Sequence, residues 1–237
     1  MITILFGILV GLLLGLTGGG GSIFAVPMLI FYPLQTLISN LDRTMLQNLA
    51  GTKEVGIFFA MQSVLAILNS VSSSAMTVLL PKVSRVYAAK RFDDLRQSVM
   101  KSVRYLSILI VPCAVLIIMF RDVIISILFG PSFLDGGGVL VVFSFAFVVA
   151  ALTRPYANIL YGAAKHHWLV INYAINLAVI FFSNLYLIPK VNGLGLGATG
   201  AAISNLSIWL ISGIFQVFLA KKYVAVPFET RVFKHII

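Results

Sequence analysis

The chain has 237 residues, of which 60% are hydrophobic and only 10% charged, and it carries a net charge of +10. Its mean hydropathy is +1.05, and a soluble domain, with about 25% charged residues, could not cover that much apolar surface. A transmembrane β-barrel is excluded as well, because barrels alternate apolar and polar residues over roughly 10-residue segments, whereas Tyr105 to Phe120 and Val139 to Leu152 are long apolar runs.

The composition therefore predicts an all-α, polytopic membrane helix bundle. A spanning helix needs about 20 mostly apolar residues, and six or seven such runs follow in order. The first covers 2–16 and has no basic stretch before it, so it is a poor signal peptide. The tract Gly18-Gly19-Gly20-Gly21 interrupts it as a break or re-entrant turn. The second run covers 22–50 and contains Pro27 and Pro33. The others are 55–80, 99–120, 138–164, 167–188 and 197–220.

Between them, residues 81–98 are polar, with apolar residues at Val83, Val86, Tyr87, Phe92 and Leu95. That spacing predicts an amphipathic cytoplasmic linker helix lying on the membrane surface. Residues 224–237 read as a basic cytoplasmic tail.

The basic residues give the orientation. If the helices strictly alternate, Lys82, Arg85, Lys90, Arg91, Arg96, Lys101, Arg104, Lys165, Lys221, Lys222, Arg231 and Lys234 all fall on one side. Lys53, Arg121 and Lys190 fall on the other. Cytoplasmic loops are the ones enriched in Lys and Arg, which predicts a multi-pass protein of the cell membrane with a cytoplasmic C-terminus. The positive charge thus reads as topology and not as nucleic-acid binding, since no basic stretch with interleaved aromatics stands apart from the membrane segments.

Gly195-Leu-Gly197-Ala-Thr-Gly200 matches a dinucleotide fingerprint in letters. No acidic residue follows at the required distance of about 20 positions. The glycines read instead as small residues that let membrane helices approach. A single cysteine, Cys113, permits no disulfide within the chain and no cysteine metal site. No cofactor is expected. No metalloprotease motif, Ser-His-Asp set or placed pair of acids supports catalysis, so an enzyme is not expected. His166 and His167 beside Trp168 read as an interfacial anchor.

Asp42 and Arg43 interrupt the apolar stretch from Leu34 to Leu49. An ionised residue at mid-membrane costs about 2.5–3.5 kcal/mol on the insertion scale and normally faces the bundle interior or a water-filled cavity. Two readings stand: a substrate or ion site, and an interhelical pairing or an exit to the interface. The same two apply to Arg154, whose guanidinium suits phosphate because it donates two parallel hydrogen bonds. Asn40, Gln47, Gln62, Asn69, Asn158, Asn172, Asn176 and Asn205 are scattered through the apolar runs. Together they point to a polar interior; singly, each suits interhelical bonding.

Several stretches, taken in order, carry a family likeness. They are Pro33 with Asp42-Arg43-Thr-Met-Leu, Gly51-Thr-Lys-Glu54-Val-Gly56, Leu79-Leu-Pro81-Lys82-Val-Ser84, Arg121 through Phe129-Gly130-Pro-Ser-Phe133, and Leu187-Ile-Pro189 before Gly197-Ala-Thr-Gly200. From 32 to 223 the chain resembles the C-terminal half of a polysaccharide flippase. That family exports lipid-linked oligosaccharides and lies within the multidrug/oligosaccharidyl-lipid/polysaccharide superfamily. Residues 1–31, with Gly11-Leu-Leu-Leu-Gly15 and the glycine tract before Val26-Pro27, resemble the start of a sulfite exporter family protein. They are expected to be a foreign or fused piece.

The resemblance implies two six-helix lobes around a central cavity that works by alternating access. This chain has about half the implied length, so its N-terminal lobe is expected to be missing or supplied by another chain or a second copy. The partners implied are the bilayer and a glycan on an anionic lipid carrier. The candidate substrate-binding residues are Asp42, Arg43, Arg154 and Asn158. In that reading Arg43 and Arg154 meet the acidic carrier group, with Asp42 paired or coupled to an ion. The alternatives are a multidrug exporter of the same superfamily, a small-anion exporter and a non-transporting membrane remnant.

Overall fold

The computed structural model of the chain describes residues 19–163, 166–189 and 193–224. Its helices are α1 (Gly19–Ala50), α2 (Thr52–Ala88), α3 (Phe92–Met119), α4 (Arg121–Leu128), a 3-10 turn (Pro131–Gly136), α5 (Gly137–Gly162), α6 (His166–Leu187) and α7 (Gly197–Val224). The run 2–16 and the tail beyond 224 lie outside the described residues. Among those described, five helical stretches are long and apolar enough to cross a membrane: α2, α3, the 3-10 turn continued by α5, α6 and α7.

The breaks between helices have local causes. Gly51 takes φ 94° between α1 and α2, and Gly130 takes φ 87° before Pro131. These are backbone states that glycine adopts without penalty. Between α2 and α3 the turn is closed by Lys90 at φ 55°, with hydrogen bonds from Lys90 N to Tyr87 O and from Arg91 N to Val86 O.

Helix α5 occupies the centre. It packs on α7, α2 and α3, while α6 and α1 complete the bundle beside α7. The main apolar cluster joins Leu46 of α1, Phe58 and Met61 of α2, Val103 of α3, Phe143 and Ile159 of α5 and Ala201 of α7. The Phe58 and Phe143 rings meet edge-on with centroids 5.0 Å apart, a favoured aromatic arrangement.

Close approach of α5 and α7 depends on Gly213: a Cβ there would lie 2.6 Å from Thr153 Cγ2. At Gly200 a Cβ would lie 2.7 Å from the carbonyl oxygen of Leu187. The glycines of the 195–200 motif therefore serve the tight α6–α7 connection, in line with the packing reading.

Residues 81–98 do not form a surface helix of their own. Helix α2 runs on through Pro81 to Ala88, and α3 starts at Phe92 and continues into its apolar stretch. At 1.5 Å per residue, α2 is about 55 Å long, well beyond a hydrocarbon core of about 30 Å. The amphipathic pattern is real, but its apolar side meets protein. Val83, Leu95 and Val99 are fully buried in the main cluster with Tyr156, Ala220 and Val224.

Contacts sort the helix ends into two groups. At one end, Lys53 Nζ is 2.9 Å from Asp135 Oδ2. There too, Glu54 Oε2 accepts a 2.8 Å hydrogen bond from the Ala198 backbone N–H at the start of α7. At the other end Gly162 lies against Val83 and Ser84. Trp168 Nε1 donates to the Tyr223 hydroxyl at 2.7 Å, with Lys222 Nζ 5.9 Å from the Trp168 ring centre. The described helix ends alternate from residue 52 onward, and the nine basic residues of the 82–104 and 221–222 stretches gather at this second end.

Candidate functional site

A cavity of about 580 Å³ opens between α1, α2, α5, α6 and α7. Its lining comes from the middle stretches of those helices, including Gln35, Gln62, Asn69, Asn172, Asn176 and Trp209. Polar side chains recur there because the apolar stripes of these helices are spent on the core and on the outer surface.

Among the described residues that line it, Arg154 is the one charged side chain. Its Nη2 donates to Asn69 Oδ1 at 2.5 Å, tying α5 to α2. The guanidinium carbon lies 6.0 Å from the Trp209 ring centre, a cation–π arrangement. Nη1 is buried without a hydrogen-bond partner. A guanidinium so held is fixed in place with donor capacity left over, which is what an anionic group needs. Nearby, Asn172 Oδ1 is a buried acceptor with no partner, and Ser212 donates to Asn176 Oδ1 at 2.8 Å.

Asp42 does not line the cavity. It is 5% exposed, with Oδ1 accepting from Asn184 Nδ2 and Oδ2 from Asn205 Nδ2, both at 2.8 Å. Asn205 lines the cavity on its other side. Arg43 is exposed and outside the lining, with its guanidinium 5.7 Å from the ring centre of Phe59, a lining residue. Asn158 is buried, one turn beyond Arg154, and is outside the lining too. Of the four candidates, the structure therefore brings Arg154 to the cavity wall and Asp42 one side chain behind it. Arg43 lies at the edge and Asn158 in the packing.

Of the amides singled out in the sequence, Gln62, Asn69, Asn172, Asn176 and Asn205 line the cavity, whereas Asn40 and Gln47 are exposed on α1. Sequence reasoning passed over Gln35, Tyr173, Trp209 and Gln216, which also line it. The two glutamines carried the same signal as the other amides; the two aromatics, inside apolar runs, carried none. Among the described residues no group of acidic, His or Cys side chains is placed to hold a metal ion as such a cluster.

Comparison with known proteins agrees with this architecture. Residues 22–136 match the family described as "Polysaccharide biosynthesis protein". The match begins inside the 1–31 segment that the sequence sets apart. The chain is 28% identical over 182 residues to "Capsular polysaccharide biosynthesis protein CapF" of Staphylococcus aureus, covering 75% of this chain and 45% of that protein. It is 28% identical over 201 residues to "Uncharacterized membrane protein MJ1068" of Methanocaldococcus jannaschii, covering 84% of this chain and 38% of that protein. The chain thus spans less than half the length of these relatives. No solved structure matches. The chain is a multi-pass helical membrane protein similar to polysaccharide biosynthesis proteins.

Proposed function

We propose that the chain acts as one lobe of a flippase for lipid-linked saccharides, with Arg154 receiving the acidic group of the lipid carrier. The observation that carries this reading is a pair of polar stripes facing outward. On α1, Thr36, Ser39, Asn40, Arg43 and Gln47 are exposed, and on α2, Gln62, Ser63, Asn69, Ser70 and Ser73 are exposed. The α1 set recurs every three to four residues and the α2 set at spacings of seven and then three to four, so each lies on one helix face. Several of the serines bond back to their own helix, as Ser39 Oγ does to Gln35 O and Ser70 Oγ to Ala66 O. Asn69 is met by Arg154 instead, and polar groups facing hydrocarbon are costly. These stripes therefore suit a water-filled space bounded on its far side by a second lobe, either another chain or a second copy.

In this arrangement the cavity lies at mid-depth, where transporters built from paired halves bind substrate. Rocking of the two lobes would open it to either side in turn. The basic end, including the C-terminus, faces the cytoplasm by the positive-inside argument. A multidrug exporter of organic cations fits less well, since the described lining residues include an arginine and no carboxylate.

The test uses Trp209 as a reporter. Trp168→Phe removes the other of the two tryptophans. A short-chain prenyl pyrophosphate should then change the Trp209 emission saturably, and Arg154→Ala should abolish that change. Equal responses with and without Arg154 would overturn the assignment.

A further inference from the structure

We propose that Lys221 and Lys222, with the rings of Trp168 and Tyr223, form a binding site for the headgroup of an acidic phospholipid where α6 begins and α7 ends. The inference does not depend on which substrate the cavity carries. It starts from uncompensated charge. Lys53, Arg91 and Arg121 each lie against a carboxylate, those of Asp135, Asp94 and Asp122. Lys221 and Lys222 are both exposed, and among the described residues neither forms an ion pair.

The second observation is how Lys222 is held. Its Nζ lies 5.9 Å from the ring centre of Trp168 on α6 and 5.9 Å from that of Tyr223 on α7, within the range of a cation–π contact. The two rings are tied to each other, since Trp168 Nε1 donates to the Tyr223 hydroxyl at 2.7 Å. Trp168 also meets Phe215 edge-on, with centroids 6.0 Å apart. A lysine in the last turn of a helix gains from the helix dipole wherever its side chain points. That gain does not account for an ammonium seated on rings from two helices. The rings hold the ammonium without neutralising it, which leaves its charge for an anion.

The neighbouring helix faces make that anion a lipid. On α7, Ile214 and Phe218 are 71% and 64% exposed. With Lys222 they follow one another at i, i+4 intervals and so share a face. On α6, Ile171 and Ile175 are exposed and follow Trp168 at helical spacing. Both helices are long and apolar enough to span a membrane, so these side chains meet acyl chains. A phospholipid lying along them brings its phosphate to the depth of the two lysines, where Trp and Tyr also concentrate. Two uncompensated ammonium groups favour a headgroup of net negative charge over a zwitterionic one. A free phosphate would use the lysines but not the apolar stripes that lead to them.

The site spans α6 and α7, two of the helices that wall the cavity. Tyr173 and Gln216, which line it, lie within two turns of Trp168 and Lys222. An acidic lipid seated here therefore braces these two helices beside the cavity.

The test reads Trp168 in the full chain carrying Trp209→Phe, where it is the only tryptophan. The protein is placed in phosphatidylcholine vesicles containing an equal fraction of either brominated phosphatidylglycerol or brominated phosphatidylcholine. Bromine in the upper acyl chain quenches a tryptophan that it touches. The expected result is stronger quenching by the phosphatidylglycerol, corresponding to a preference of about fivefold or more, the effect of one lysine at an acidic lipid surface. Lys221→Gln together with Lys222→Gln should remove the preference; both side chains are exposed, so the fold does not depend on them. Lys90→Gln together with Arg96→Gln takes the same charge from the same end and should leave the preference intact. Glycerol phosphate in solution should not compete. Equal quenching by the two lipids, a preference that survives loss of Lys221 and Lys222, its equal loss in the Lys90 and Arg96 pair, or its removal by glycerol phosphate would each overturn the proposal.

Discussion

Arg154 on α5 donates a hydrogen bond to Asn69 on α2, 85 positions away in the chain, and both side chains line the same cavity. The bond fixes one arm of the guanidinium and leaves Nη1 unpartnered. Arg154→Lys should therefore restore charge but not function fully, because an ammonium is a point charge without the planar fork. Relative to Arg154, binding of a prenyl pyrophosphate should weaken about tenfold or more for Lys and further for Ala, as expected for loss of a charge-assisted bond of about 1.5–3 kcal/mol. Titration of Trp209 emission checks the order.

The outward stripes on α1 and α2 make a prediction about water. A cysteine at Asn40 should react with a membrane-impermeant thiol reagent, because that face borders an aqueous space. A cysteine at Ile108, exposed on the apolar surface of α3, should not react. The background is Cys113→Ser, which removes the single native thiol. Equal protection of both positions would place the α1 stripe in lipid.

Orientation is tested in the same background. A cysteine at Lys90, in the turn between α2 and α3, should be shielded from reagent added to intact cells. One at Asp135, beside Lys53 at the opposite end, should be labelled. The reverse pattern would invert the topology.

Helix packing rests on contacts too close to accept a side chain. In Gly200→Ala the new Cβ meets the Leu187 carbonyl oxygen, a backbone atom that cannot swing aside. The expected cost is about 1–3 kcal/mol, seen as a lower unfolding midpoint. Glu54→Ala should cost about 0.5–2 kcal/mol, because it removes the carboxylate at the N-terminus of α7. Glu54→Gln should recover much of that, since an amide oxygen still accepts from Ala198.

The helices were legible because each apolar run is long, and membrane depth sets a minimum length. Residues 81–98 were not, for a physical reason. An amphipathic period has the same form whether its apolar side meets lipid or another helix, and here Val83 and Leu95 meet α5 and α7. Asp42 stood out as an acid in an apolar stretch, yet its partners Asn184 and Asn205 lie 142 and 163 positions away. No local pattern could pair them. The same limit separated Asp42 from Arg43: sequence groups the two, while a turn of about 100° per residue sends one inward and the other out. The glycines before α7 were read correctly as packing devices, because a nucleotide fingerprint needs partners that the following residues lack.

The central claim is that this lobe carries an acidic lipid-linked saccharide through the Arg154 cavity. Its most direct test is glycan export in cells lacking the chain, after restoring either the unaltered sequence or Arg154→Ala at equal membrane levels. The account predicts that export returns with the former and stays at background with the latter. Equal export from both would contradict it.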